Sequence, residues 1–271
     1  MPLENRKFIT IGQIDATGVR GPHEKELDDI SKAKFFNFIN VDIKALETII
    51  NNELGGIIEN IGLSEDWTIT IEMFPEVNIH MAFSEFGDEF GDGIEAEFKF
   101  LFSGKHVTWV PGEDSATFID IVMDLIKRKL KGEEPFEKNY NSKSDLMKKV
   151  LLQRGEPFKF LQEKDQQELE RFIGAKVWKT ANGWRIKKEI FPEILTEIMW
   201  DEENGLDIKF HGEKLAKNLG SYHAEFIGIF VLNHILRYIT VHNLEEELPD
   251  ICYIMFSRLY TKEKGWVHRT R

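Results

Sequence analysis

The strongest constraint on the fold is a change of hydrophobic period in the first half of the chain. Trp67, Ile69, Ile71 and Met73 alternate with Thr68, Thr70 and Glu72. After Pro75-Glu76, Val77, Ile79, Met81 and Phe83 alternate with Asn78, His80 and Ala82. Ala96, Phe98, Phe100 and Phe102 continue the pattern, and residues 106–110 (HVTWV) read as a fourth strand. A period of two sends neighbouring side chains to opposite faces. The segment is therefore an antiparallel meander with one dry face and one polar face. The flanks carry the helical period instead. Leu46, Ile49, Ile50, Leu54, Ile57, Ile58 and Ile61 predict a helix over residues 41–61, kinked at Gly55-Gly56 and capped by Gly62. Residues 24–38 predict another. Residues 114–131 predict a third, whose Phe118, Ile121, Val122 and Leu125 can cover the dry face. Phe8, Ile9 and Ile11 read as a short first strand.

The second half repeats this plan loosely. Polar helices are expected over residues 142–154 and 163–172. A hairpin turning at Asn182-Gly183 follows, then a second hairpin built from residues 195–200 and 206–211. A long apolar helix spans residues 222–242, and a last helix starts near Pro249. The fold class is α+β, with two lobes, each an antiparallel sheet packed on helices. The first lobe covers residues 1–135 and the second 142–271, with residues 131–141 (KGEEPFEKNYN) as linker. An offset of 108 residues aligns Phe102, Gly104, Gly112, Ala116, Phe118, Ile119 and Ile121 with Phe210, Gly212, Gly220, Ala224, Phe226, Ile227 and Ile229. An internal duplication is the expectation that follows.

Charge separates the two lobes. Residues 1–135 hold 13 Lys and Arg against 26 Asp and Glu, and residues 136–271 hold 22 against 21. From Ala45 to Phe98 there are thirteen acidic residues and no Lys or Arg. Such a field disfavours nucleic acid and anionic membranes and favours a basic protein surface or a cation as partner. Cys252 is the single cysteine, so an intrachain disulfide is excluded. The N-terminal MPLENRKFITIG has no apolar signal core. Location is read as cytoplasmic, and the longest unbroken apolar stretch is too short for a membrane span.

Three groups of residues are candidates for a site. The densest acidic stretch is a predicted hairpin tip, where Glu85, Phe86, Asp88, Glu89, Phe90 and Asp92 could meet a basic partner. A calcium loop begun at Asp88 would put Phe90 and Lys99 where oxygen ligands belong, so the EF-hand reading fails. The second group is the polar face of the first sheet, with His80 and Glu97 among Thr68, Thr70, Glu72, Asn78, Glu95 and His106. Its plainer reading is an ordinary solvated face. The third is the long apolar helix, where His223, His234, Arg237 and Tyr238 interrupt the apolar surface and His234, Tyr238 and His242 share one side. The histidine spacing matches no metal motif, and no Gly-rich nucleotide loop or GxSxG elbow occurs. No cofactor and no metal is implied.

These features lead to a non-enzymatic binding or adaptor protein whose acidic lobe engages a basic partner. A metal-dependent hydrolase with a His and carboxylate site between the lobes is one rival. An acidic inhibitor that mimics DNA is another.

Overall fold

A computed structural model describes residues 6–14, 20–87, 95–255, 260–261 and 265–266. The chain divides into two compact units, Met1–Pro135 and Phe136–Arg271. Each is α+β and contains a four-stranded antiparallel sheet.

In the first unit, helices α1 (Ile11–Ile14), α2 (Arg20–Lys34) and α3 (Ile43–Ile49) precede the strands. Asp42 caps α3 by accepting the Lys44 N–H. The predicted helix over 41–61 ends early. A single π-turn, Ile50–Leu54, follows α3, and Gly55 then takes a left-handed conformation at φ 67°. The chain leaves as strand β1 (Ile57–Glu59). Gly56 is required where they cross, because a Cβ there would stand 2.7 Å from the Thr70 carbonyl oxygen. Strands β2 (Trp67–Phe74), β3 (Val77–Glu85) and β4 (Ala96–Ser103) follow, and the sheet order is β1-β2-β3-β4. The fourth strand is thus β1. The HVTWV segment instead makes a 3-10 turn at Val107–Trp109. Phe8, Ile9 and Ile11 do not form a strand of their own. Ile9 makes one antiparallel bridge to Phe102, and Ile11 opens α1.

The dry face is as expected. Ile69, Ile71, Met81, Phe83, Phe98 and Phe102 are buried together with Phe118, Ile121, Val122 and Leu125 of helix α4 (Gly112–Lys131). Trp67 stacks on Phe83 at 4.6 Å, and Phe38 meets Phe98 edge-on at 4.9 Å. Such aromatic pairs add directional contacts to the burial of a large apolar area.

The second unit begins with helices α5 (Asp145–Arg154) and α6 (Gln166–Ile173), then strands β5 (Lys176–Lys179), β6 (Gly183–Phe191), β7 (Ile194–Asp201) and β8 (Gly205–His211). Both predicted hairpins form and join as one sheet in the order β5-β6-β7-β8. Helices α7 (Leu215–Asn218), α8 (Ser221–His242) and α9 (Asp250–Met255) follow, then a short pairing of Tyr260–Thr261 with Gly265–Trp266. The segment read as linker is partly bound to this unit: Ser221 N–H donates to the Glu137 carbonyl and the Tyr140 hydroxyl to the Leu219 carbonyl (2.6 Å). Helix α8 is long and apolar enough, by length and composition, to cross a membrane. However, 89% of its most apolar window is buried inside the protein, which makes it a core helix.

The same hairpin occurs in both sheets. Glu72-Met73-Phe74-Pro75-Glu76 turns β2 into β3, and Glu189-Ile190-Phe191-Pro192-Glu193 turns β6 into β7. Both have a bulge at the Phe, at Glu72/Phe74 and Glu189/Phe191. Glu76 and Glu193 both take φ 63°, and each donates its N–H to the carboxylate four residues earlier, Glu72 or Glu189. The registers also correspond, with Ile79 opposite Phe102 and Thr196 opposite Phe210.

Candidate functional site

The polar face of the first sheet is solvated at Glu72 and Glu97, as expected, but not throughout. Thr68, Thr70, His80 and Ser103 are buried. The cover is the N-terminal segment. Ile9 exchanges two 2.9 Å backbone hydrogen bonds with Phe102 at the β4 edge. Phe8 lies edge-on to the His80 ring at 5.0 Å and packs against Ile61, Ala82 and Leu101. Arg6 pairs with Glu59 on β1, at the other edge. Residues 6–9 therefore cross the face as a strap.

Beneath the strap lies one continuous polar chain. The Thr70 hydroxyl donates to Glu59 Oε1 at 2.7 Å. Having spent its proton, Thr70 Oγ1 accepts from His80 Nδ1 at 2.8 Å. His80 Nε2 is then the acceptor for the Ser103 hydroxyl, also at 2.8 Å. Every polar atom of the chain is satisfied, which is the condition for burying it without loss. Burial, and after it the nearby Arg6 charge, hold the His80 pKa down to about 4, with Glu59 acting the other way. The imidazole is neutral at pH 7, as the hydrogen-bond directions require.

The atoms have the order of an activated serine, with a base and an orienting carboxylate behind it. Access is what they lack, since Ser103 is 3% exposed and His80 0%. In this conformation the chain locks the strap to the sheet.

His80 and Glu97 do not converge. Glu97 is exposed and pairs with Ser84, two rows from the His80–Leu101 pair. The carboxylate near His80 is Glu59, 4.0 Å away. Sequence reasoning missed it by carrying the helix through to residue 61. The Gly55-Gly56 pair was the signal that the helix stops before it.

The acidic tip falls partly outside the described residues, which include Glu85 and Phe86 but not Asp88, Glu89, Phe90 or Asp92. Phe86 is 39% exposed, and its N–H donates to the Glu95 carbonyl. The register puts Glu85 opposite Ala96, and Asp66 accepts the Glu85 N–H at 2.7 Å. Asp66, Glu85, Glu95 and Glu97 thus share one end of the sheet, and all four are exposed.

In the second unit, α8 presents its predicted stripe to α6. His234 stacks on Phe172 at 4.3 Å, and Tyr238 stacks on His242 at 3.9 Å. Glu168 accepts from the Tyr238 hydroxyl and lies near His242, both at 3.4 Å. Burial, followed by the Glu168 charge, raises the Tyr238 pKa, so the phenol stays protonated. Arg237 is fully buried, and burial lowers its pKa to about 9. His223, half-buried at the other end of α8, is apart from this stripe. Among the described residues no group of three or more His, Cys, Asp or Glu could hold a metal ion. Comparison of the chain with models of known protein families, with curated proteins and with solved structures finds no match.

Proposed function

We propose that this is a non-enzymatic, cytoplasmic binding or adaptor protein whose first unit engages a basic protein surface. The observation that carries the reading is the acidic end of the first sheet. Strand register gathers Asp66, Glu85, Glu95 and Glu97 beside the connection that holds Asp88, Glu89 and Asp92. The nearest basic residue along β4 is Lys99, and none lies between Ala45 and Phe98. Charges so arranged raise the encounter rate with a cationic surface and set its orientation.

The test is titration of a Lys- and Arg-rich peptide into the protein at low and high salt. Binding should weaken steeply with salt. Reversing Glu95, Glu97, Asp88, Glu89 and Asp92 to Lys should weaken it at least about tenfold, or 1.4 kcal/mol. Salt-independent binding, or binding untouched by the reversal, would sink the reading.

We also read the two units as copies of one module. The repeated E-x-F-P-E hairpin, with its bulge, its left-handed Glu and its register, supports this more strongly than the 108-residue alignment alone.

A further inference from the structure

The strap over the first sheet is thinner than the floor it covers. Phe8 and Ile9 are half-buried, and Lys7 and Thr10 are exposed. Beneath them Thr70, His80 and Leu101 form one row across the sheet, and all three are buried. The floor has three features that suit an extended chain. Glu59 offers a carboxylate at the β1 side, where Arg6 pairs with it. Ile61, Ala82 and Leu101 form an apolar slot beside the His80 ring, where Phe8 packs. Phe102 offers a backbone N–H and C=O at the β4 edge, and Ile9 takes both at 2.9 Å.

The floor does not depend on the strap for its own hydrogen bonds. Thr70, His80 and Ser103 are satisfied by one another and by Glu59, so none of the three is orphaned when the strap leaves. Nor does a sheet of this kind need a strap in order to form. The second sheet has the same strand order, and its matching row, Lys187–Glu197–Lys209, is half-exposed or exposed. Phe210 holds the register position of Phe102 on β8 and is half-buried. Among the described residues no strand pairs with β8 on that side. Where the second sheet has a charged face, the first has a groove shaped for an extended segment.

We propose that this groove is a peptide-binding site, filled in cis by the chain's own N-terminal segment, whose ligand is an extended segment of a partner protein. The strap spells out the ligand. An aliphatic residue pairs with the β4 edge as Ile9 does, an aromatic residue one position earlier fills the slot of Phe8, and a basic residue three positions earlier meets Glu59 as Arg6 does. The position of Lys7 is exposed and open to any residue. Main-chain pairing supplies affinity, and the slot and the carboxylate supply selection. The strap is tethered to α1 through Thr10 alone, so its effective concentration is millimolar or higher and the partner must add contacts of its own to displace it. The groove is separate from the acidic end of the sheet, since Glu97 lies two rows from the His80–Leu101 pair.

The test uses the full chain and the synthetic peptide Arg-Lys-Phe-Ile-Thr, capped at both ends, followed by ¹⁵N NMR and amide exchange. In the wild-type chain a large excess of peptide should strip protection from the Ile9 N–H while the Phe102 N–H stays protected, because the peptide's Ile takes over both bonds to Phe102. The full chain carrying Arg6→Ala and Phe8→Ala should bind the peptide at least about tenfold more tightly than the wild type, its own competitor being weakened. Peptides with Phe replaced by Ala, or N-methylated at Ile, should each bind that variant at least about fivefold more weakly. Reversing Glu95 and Glu97 to Lys, which tests the acidic end instead, should change this binding by less than about threefold. The proposal fails if Ile9 and Phe102 exchange both stay unchanged or both accelerate, if the weakened variant binds no more tightly than the wild type, if the altered peptides bind as well as the parent, or if the Glu95 and Glu97 reversal abolishes binding. Dimerisation of the wild-type chain that Phe8→Ala abolishes would assign the groove to the strap of a second copy and overturn the partner assignment.

Discussion

Gly104 lies so close to Glu76 that a Cβ on the glycine would stand 2.1 Å from the Glu76 carbonyl oxygen. Gly212 has the same relation to Glu193, at 2.0 Å. Both glycines take positive φ, 115° and 133°. In each sheet the glycine ends the last strand where it passes the left-handed Glu of the hairpin. Only a residue without a Cβ fits there. Gly104→Ala and Gly212→Ala should each cost at least about 2 kcal/mol, from backbone strain and the clash together. Calorimetry of the full chain should show each substitution lowering the transition of its own unit. Gly21→Ala meets nothing within 4 Å and should be neutral or mildly stabilising.

His80 makes the first unit acid-sensitive. Its folded pKa, about 4, lies below the ordinary value of 6.5. As pH falls from 6.5 the unfolded chain takes up the proton first, so stability declines until pH passes the folded value. The decline between pH 6.5 and 4 is on the order of 3 kcal/mol. His80→Gln should flatten this part of the profile of melting temperature against pH. An unchanged slope in the variant would place the acid sensitivity elsewhere.

The polar chain under the strap should behave as a unit. Thr70→Val leaves His80 Nδ1 and Glu59 each short of a partner, and Ser103→Ala leaves His80 Nε2 without its donor. Each buried orphan costs about 1–3 kcal/mol. Because the losses fall on one network, the double variant should cost clearly less than the sum of the single ones. Urea denaturation of the two single variants and the double variant measures this. Strict additivity would mean that the chain carries no cooperativity.

Lys188 is a buried lysine whose ammonium donates to the Ile173 carbonyl at 2.8 Å, at the C-terminus of α6. A positive charge there satisfies a terminal carbonyl and opposes the negative end of the helix dipole. Lys188→Met keeps the volume and removes the charge. It should destabilise the second unit by about 1–2 kcal/mol, read as a lower urea midpoint for that unit. An equal or higher midpoint would mean that the cost of burying the ammonium outweighs its hydrogen bonds.

Local pattern made much of this architecture legible. Strands β2, β3 and β4, both hairpins of the second unit and the cover of the dry face by α4 follow from periods of two and 3.6. β1 did not. Ile57 and Ile58 fit a helical stripe as well as a strand, and the choice turned on Gly55 taking the left-handed conformation that stops the helix. Glu59 was missed with β1, since a residue read as helical could not be placed beside Thr70. The N-terminal segment was misread for a different reason: Arg6, Phe8 and Ile9 find their partners at Glu59, His80 and Phe102, contacts that leave no local periodicity.

By itself, the sequence determined the two α+β units, the direction of their apolar faces and the concentration of negative charge in the first. These follow from side-chain spacing and ionisation, which are properties of the chain before it folds. Tertiary structure alone decided that Thr70, His80 and Leu101 are buried while the matching Lys187, Glu197 and Lys209 face outward. A polar side chain on a strand is wet or dry according to what crosses it, and the strap that crosses the first sheet is held by long-range contacts.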